Sequence, residues 1–302
     1  MEKPEPPATF VTTIDTSLAP KIQEDLLSQG FEITHPPYTI FAAVKKGVSC
    51  TLYTSGKLTV QGKDKDQFIT FYLEPEIMQE LAFTHPETLV NWTSRIGIDE
   101  AGKGDFFGPL CIAGVQADAK QIEYLLSCGV KDSKQISDKN ILLLSKKIKD
   151  ALPHSIVRIP PEKYNQIYGN FGNLNKLLAW GHATAIAELV DKTHCHEVII
   201  DQFAGEHLVI NALKQKKITV NLSQRHGAES DPVVAAASIL ARAAFLEGLE
   251  KLGNAISFTL PKGASKQVIE AGIALVHKHG QEILPTISKA HFKTTQDIMR
   301  SL

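Results

Sequence analysis

Arg95-Ile96-Gly97-Ile98-Asp99-Glu100-Ala101-Gly102-Lys103-Gly104-Asp105-Phe106-Phe107-Gly108-Pro109 holds the most informative residues of this 302-residue chain in one run. Alternating Ile96 and Ile98 predict a strand, two adjacent carboxylates end it, and three glycines then make a helix improbable. The apolar run Leu110 to Val115 resumes directly after Gly108-Pro109, which predicts a hairpin with Asp99 and Glu100 near its mouth. Neighbouring strand residues face opposite ways, so the two acids are expected to converge only if the chain bends there, with Gly102 and Gly104 supplying the freedom. The same glycines, with Lys103 between them, uncover backbone N–H groups and set a cation beside the acids, which suits a phosphate next to a metal ion.

Working outward, 43% hydrophobic and 22% charged residues are those of a globular protein with room for a sizeable core, in one large domain or two ordinary ones. No apolar stretch is read as approaching the roughly 18 residues that span a bilayer, and Met1 to Pro7 lacks the apolar core of a signal peptide. The expectation is a cytoplasmic protein with no membrane partner. Cys50, Cys111, Cys128 and Cys195 show no Cys-x-x-Cys spacing and read as reduced thiols. His194-Cys195-His196 precedes a strong strand and has no partner pair at metal-ligand spacing, so no zinc site is expected there. A net charge of −1 leaves any contact with nucleic acid to local patches, and the last fifty or so residues carry more Lys and Arg than acids.

Before the hairpin, Phe10 to Ile14 reads as a strand and Ser17 as the cap of a helix ending near Gly30. Short β segments follow at Phe31 to Thr34, Thr39 to Lys45, Ser49 to Tyr53 and Lys57 to Gln61, making a small α+β unit. Periodicity leaves Phe68 to Leu73 open between strand and helix, and Glu74 to Ser94 reads as a linker. After the hairpin, Ser137 or Asp138 can cap a helix containing Ile141 to Ile148. Ser155 to Ile159 is a strand, and Asn173 opens a long helix reaching about Lys192, whose Asn, Lys and His residues are candidates to face a substrate. Glu197 to Asp201 is a buried strand ending on a carboxylate, where ligands of open α/β sheets sit. Ile218 to Leu222 is a further strand, and Asp231-Pro232 reads as the N-cap and first residue of an Ala-rich helix.

These segments resemble the type 2 ribonucleases H, and ribonuclease HIII in particular. The resemblance rests on Gly102-Lys103-Gly104-Asp105-Phe106-Phe107-Gly108-Pro109, Lys131-Asp132-Ser133-Lys134-Gln135-Ile136-Ser137-Asp138, Asn173 to His182, Ile199-Ile200-Asp201-Gln202-Phe203, Ala228-Glu229-Ser230, and the Lys289-Ala290-His291 region. It covers about residues 9 to 302. It implies a ribonuclease H fold, a mixed five-stranded sheet flanked by helices, over residues 86–302. Leu52 to Gly62 resembles half of a TATA-binding-protein fold, which implies a substrate-binding domain of that kind over residues 1–85.

The resemblance assigns Asp99, Glu100, Asp201 and Glu229 to two Mg²⁺ or Mn²⁺ ions, and the minor groove near a 2′-hydroxyl to Gly102, Lys103 and Gly104. Ser133 and Lys134 are candidates for phosphate contact. The activity implied is endonucleolytic hydrolysis of the RNA strand of RNA/DNA hybrids, leaving 5′-phosphate and 3′-hydroxyl ends, by a monomer. Four carboxylates on three segments form the all-oxygen donor set that hard divalent ions require, and without cations they would repel one another. Asp231 is a rival for the fourth position, although its place before Pro232 is explained by capping, and its replacement by Asn is then expected to be harmless. Two other functions stay open. Ribonuclease HII-like incision at single ribonucleotides in DNA shares the chemistry, whereas a non-catalytic hybrid binder would be expected to have lost a carboxylate, and none is lost.

Overall fold

The computed structural model describes residues 9–78 and 90–302, apart from residues 132, 204 and 226. The chain divides into two compact units, Met1–Val90 and Asn91–Leu302. The first unit consists of β1 (Thr9–Thr13), a 3₁₀ turn at Thr16–Leu18, α1 (Ala19–Ser28), β2 (Glu32–Thr34), β3 (Thr39–Lys45), β4 (Val48–Tyr53), β5 (Lys57–Gln61) and α2 (Lys65–Phe68), which continues in wider π-type turns over Ile69–Met78. Its antiparallel sheet has the order β1-β5-β4-β3-β2. One face buries Phe41, Leu52 and Leu58 against Ile22, Leu26, Ile69 and Leu73. The register lines up Val11, Thr59, Thr51, Ala42 and Thr34 across the opposite face, an uncharged row with all five side chains at least partly exposed.

Two expectations change here. Asp15, not Ser17, caps the first helical turn, accepting the Ser17 N–H at 2.9 Å. The segment left open at Phe68 to Leu73 is helical and runs through Pro75 to Met78, burying Glu74. The expected linker therefore begins inside the helix; its residues 79–89 lie outside the described residues.

The second unit comprises β6 (Arg95–Ala101), β7 (Leu110–Ala117), α3 (Ala119–Ser127), α4 (Asp138–Ala151), β8 (His154–Ile159), α5 (Pro161–Phe171), α6 (Leu174–Thr193), β9 (Glu197–Asp201), α7 (Glu206–Gln215), β10 (Asn221–Arg225), α8 (Pro232–Ala255), α9 (Lys266–His279), α10 (Leu284–Ile287) and α11 (Lys293–Arg300). The mixed sheet has the order β10-β9-β6-β7-β8, with β10, β9 and β6 parallel and β7 antiparallel to both its neighbours. Helix α6 covers one face through Leu177, Leu178, Ile186 and Leu189. Helix α8 covers the other at backbone distance: a Cβ on Gly97 would lie 2.5 Å from the Val234 nitrogen, so only glycine permits this approach. By length and composition α8 could cross a membrane, contrary to the expectation that no stretch approaches that size, but 78% of its most apolar window is buried in the fold.

Strand β10 starts three residues later than expected. The Ile218 N–H returns to the Leu213 carbonyl and Lys217 takes a left-handed turn, so Ile218 belongs to the turn that closes α7. The ladder begins at Asn221, whose N–H meets His196 O, and it brings Arg225 level with Asp201.

Candidate active site

The hairpin forms as expected, but without the bend. Strand β6 pairs with β7 through Asp99, Glu100 and Ala101, whereas its pairing with β9 stops at Ile98↔Ile200. From Asp99 onward one edge of β6 is free of a strand partner, at the carboxyl ends of β6 and β9. The two acids keep strand alternation. Asp99, like Gly97, faces α8, where Ser238 hydrogen-bonds it; Glu100, like Ile98, faces α6, where His182 lies. Both reach one cavity of about 500 Å³ over the open edge, which Asp201, Glu229 and the Gly102–Gly104 loop also line.

The surroundings drive the two adjacent acids apart. Burial and the charge of Glu100 push the Asp99 carboxyl up to about 7, against hydrogen bonds from Ser238 and the Glu100 N–H. Burial alone would also raise Glu100, but the hydrogen bond and charge of His182, together with Lys103, hold it below the usual carboxylate value. Asp201 Oδ1 accepts the Ala228 N–H at 3.1 Å, and Glu229 Oε1 lies 2.8 Å from Lys134 Nζ. Each acid thus has its own partner, and among the described residues no three His, Cys, Asp or Glu side chains are drawn together as a ready-made metal cage.

Asp231 stands apart from this cavity. Its Oδ1 caps α8 through the Val233 N–H at 2.9 Å, as the sequence predicts, and both its oxygens meet the Arg95 guanidinium at 3.0 to 3.3 Å with both side chains buried. Arg225 adds a contact at 3.4 Å. The expectation that Asn is harmless at 231 is therefore overturned, because it would leave a buried guanidinium without its counter-charge.

The glycine loop is held rigidly. Gly102 has φ +85°, and a Cβ there would sit 2.2 Å from Pro109 O. Asp105 accepts the Gly263 N–H at 2.6 Å, and buried Lys289 donates to the carbonyls of Asp105 and Gly108 at 2.7 and 2.8 Å. Lys103 Nζ lies 3.4 Å from Glu100 Oε1 and 5.7 Å from the centre of the Phe203 ring.

Of the two candidates for phosphate contact, Lys134 is exposed, but Ser133 is buried with its hydroxyl 2.8 Å from that of Ser238. Ser133 thus supports the wall beneath Asp99 instead of projecting from it. Arg242 braces the same segment through Ser133 O and Asp138, and Ser137, not Asp138, caps α4. Asp138 is held below its ordinary value by Lys262 first and Arg242 second. His182, expected to face substrate, is fully buried beneath Glu100. Its pairing with Glu100 carries no local sequence signal, since the two residues are 82 positions apart.

Comparison with known proteins agrees with this geometry. The family described as Ribonuclease HII matches residues 96–295, and a domain of unknown function (DUF3378) matches residues 9–82. Over 290 residues the chain is 57% identical to ribonuclease HIII of Protochlamydia amoebophila (strain UWE25), covering 96% of each chain. The chain belongs to the ribonuclease HIII family. Ribonuclease HIII of Chlamydia felis (strain Fe/C-56) is 47% identical over 295 residues, covering 97% of this chain and 98% of the relative. Among solved structures, Bst-RNase HIII in complex with Mn²⁺ is 30% identical with a TM-score of 0.69, covering 97% of this chain and 98% of the other. The mixed sheet and its flanking helices are the ribonuclease H fold of that family, preceded by the small α+β unit.

Proposed function

We propose that the chain is an endoribonuclease that hydrolyses the RNA strand of RNA/DNA hybrids, leaving 5′-phosphate and 3′-hydroxyl ends, with Asp99, Glu100, Asp201 and Glu229 holding two divalent cations, Mg²⁺ or Mn²⁺. One observation carries the reading: four carboxylates from three separate segments line a single cavity at the strand ends, with the Gly-Lys-Gly loop in its wall. The donor set is all oxygen, which suits hard cations. An Asp99 carboxyl lifted to about 7 is a charge that the fold itself leaves undercompensated, as a cation site requires. Bound there, the cations supply an activated water and stabilise the departing 3′ oxygen.

The chain's own residues do the rest. The Gly102–Gly104 backbone, followed directly by Asp105 that Gly263 and Lys289 hold, would sense the 2′-hydroxyl that separates RNA from DNA. Lys103, beside Glu100, and Lys134, beside Glu229, would contact substrate phosphates, while Ser133 keeps the wall in place. Residues 86–302 are the catalytic domain and 1–85 a substrate-binding domain. Support for the latter is the uncharged row from Val11 to Thr34 across its open sheet face, which can lie along a duplex groove without burying a charge. Four free thiols fit the cytoplasm.

Incubation with end-labelled RNA/DNA hybrid, with a duplex carrying a single ribonucleotide and with each metal tests the reading. Metal-dependent cutting within the RNA of the hybrid is expected. Incision restricted to the single-ribonucleotide duplex would favour the ribonuclease HII-like alternative instead.

A further inference from the structure

The buried face of α6 is apolar except for His182. Leu177, Leu178, Ala183, Ala185 and Ile186 around it are fully buried, and so is the imidazole. Its Nε2 lies 3.1 Å from Glu100 Oε2, while its Nδ1 is buried without a hydrogen-bond partner. A polar ring in such a place carries a desolvation cost that a leucine or methionine would not. Its hydrogen bond to Glu100 offsets this cost. With Glu100 ionised, its Oε2 accepts, so the Nε2 of His182 is the donor in this contact.

The two oxygens of Glu100 therefore differ. Oε2 is turned inward onto His182, and Oε1 is turned toward Lys103 at the cavity. A glutamate on a strand has three side-chain torsions to fix, and one anchored oxygen fixes most of them. Phe203, two residues beyond Asp201, packs against the imidazole with ring centres 4.7 Å apart and so holds the anchor from the turn that follows the strand carrying the third acid.

We infer that His182 is a positioning residue for Glu100, holding Oε2 so that Oε1 is presented to a divalent cation in the cavity. This rests on the reading of Glu100 as a metal ligand. Hydrogen-bonded partners of metal-binding carboxylates typically change metal affinity or activity by about 10 to 100-fold when lost.

The test compares His182→Gln, which keeps an N–H donor on an unbranched side chain, with His182→Met, which fills similar space without one. Glu100→Gln serves as the reference. Three quantities are measured for each full-length variant: Mn²⁺ affinity of the substrate-free protein by calorimetry, hybrid cleavage against Mg²⁺ concentration, and melting temperature. His182→Met is expected to raise the Mn²⁺ dissociation constant about tenfold. It should shift the Mg²⁺ dependence of cleavage by a similar factor, leave KM for the hybrid unchanged and melt no lower than wild type. His182→Gln should recover most of the lost affinity.

A His182→Met variant with wild-type Mn²⁺ affinity, beside an impaired Glu100→Gln, overturns the inference and leaves the site reading standing. Full affinity and activity in Glu100→Gln overturns the site reading and the inference with it. Should His182→Met fail to fold, His182→Phe takes its place under the same criteria.

Discussion

Asp99→Asn should abolish cleavage and at the same time stabilise the metal-free protein. Burial and the neighbouring Glu100 raise the Asp99 carboxyl from 3.8 to about 7, so the native state keeps a proton that the unfolded chain releases as pH rises through that window. Stability contributed by the protonated acid is lost between about pH 4 and pH 7, and the full penalty of the buried charge stands above pH 7. The difference of 7 and 3.8, about three units, corresponds to a ceiling of about 4 kcal/mol. Asparagine keeps an oxygen for the Glu100 N–H but turns an amide toward Ser238, so the realised gain is set at about 1 to 3 kcal/mol. For a unit of this size each kcal/mol moves the melting temperature by about 2 to 4 °C. The assay is thermal unfolding of wild type and variant in excess chelator at pH 8 and pH 5. A higher melting temperature for Asp99→Asn is expected at pH 8, with the gain cut to less than half at pH 5. A variant that melts no higher than wild type at pH 8, or gains more at pH 5, would refute the electrostatic reasoning.

Asp231→Asn, which strips the counter-charge from buried Arg95, should cost about 3 kcal/mol or more in denaturant titrations. Glu229→Gln loses only a rim contact to an exposed lysine, so its melting temperature should stay within a degree or two while cleavage falls by most of its rate. Burial lowers the Lys289 ammonium from 10.5 to about 8, so the unfolded chain binds the extra proton between those pH values and native stability rises with pH across them. The stability of Lys289→Met relative to wild type should accordingly fall from pH 8 to pH 10.5, and a pH-independent difference would count against the buried charge. Deleting residues 1–85 should raise KM for the hybrid with kcat little changed, whereas an unchanged KM would remove the substrate-binding role from that unit.

Features set by local chemistry were legible in the sequence. Ile96 and Ile98 before two acids marked β6, the run ending at Asp201 marked β9, and Asp231-Pro232 marked the start of α8, all within a residue of where the chain places them. Features set by long-range packing were not. Arg95 against Asp231, Ser133 against Ser238 and His182 against Glu100 join residues 82 to 136 positions apart, and no periodicity announces such pairs. Tertiary context also moved β10, because the turn after α7 used up the first residues of its apolar run. The convergence of Asp99 and Glu100 came from the early end of the β6–β9 ladder, which depends on the neighbour and not on the glycines that follow.

The most direct measurement is the single-turnover rate of RNA-strand cleavage in an end-labelled hybrid, across Mg²⁺ concentration, for wild type and the four variants Asp99→Asn, Glu100→Gln, Asp201→Asn and Glu229→Gln. No cleavage in chelator, products with 5′-phosphate and 3′-hydroxyl ends, and a loss of at least about a hundredfold in every variant are the results expected of a site whose four carboxylates hold the ions as a unit. Wild-type rates in any one of the four folded variants, or cleavage by wild type without divalent metal, would contradict it.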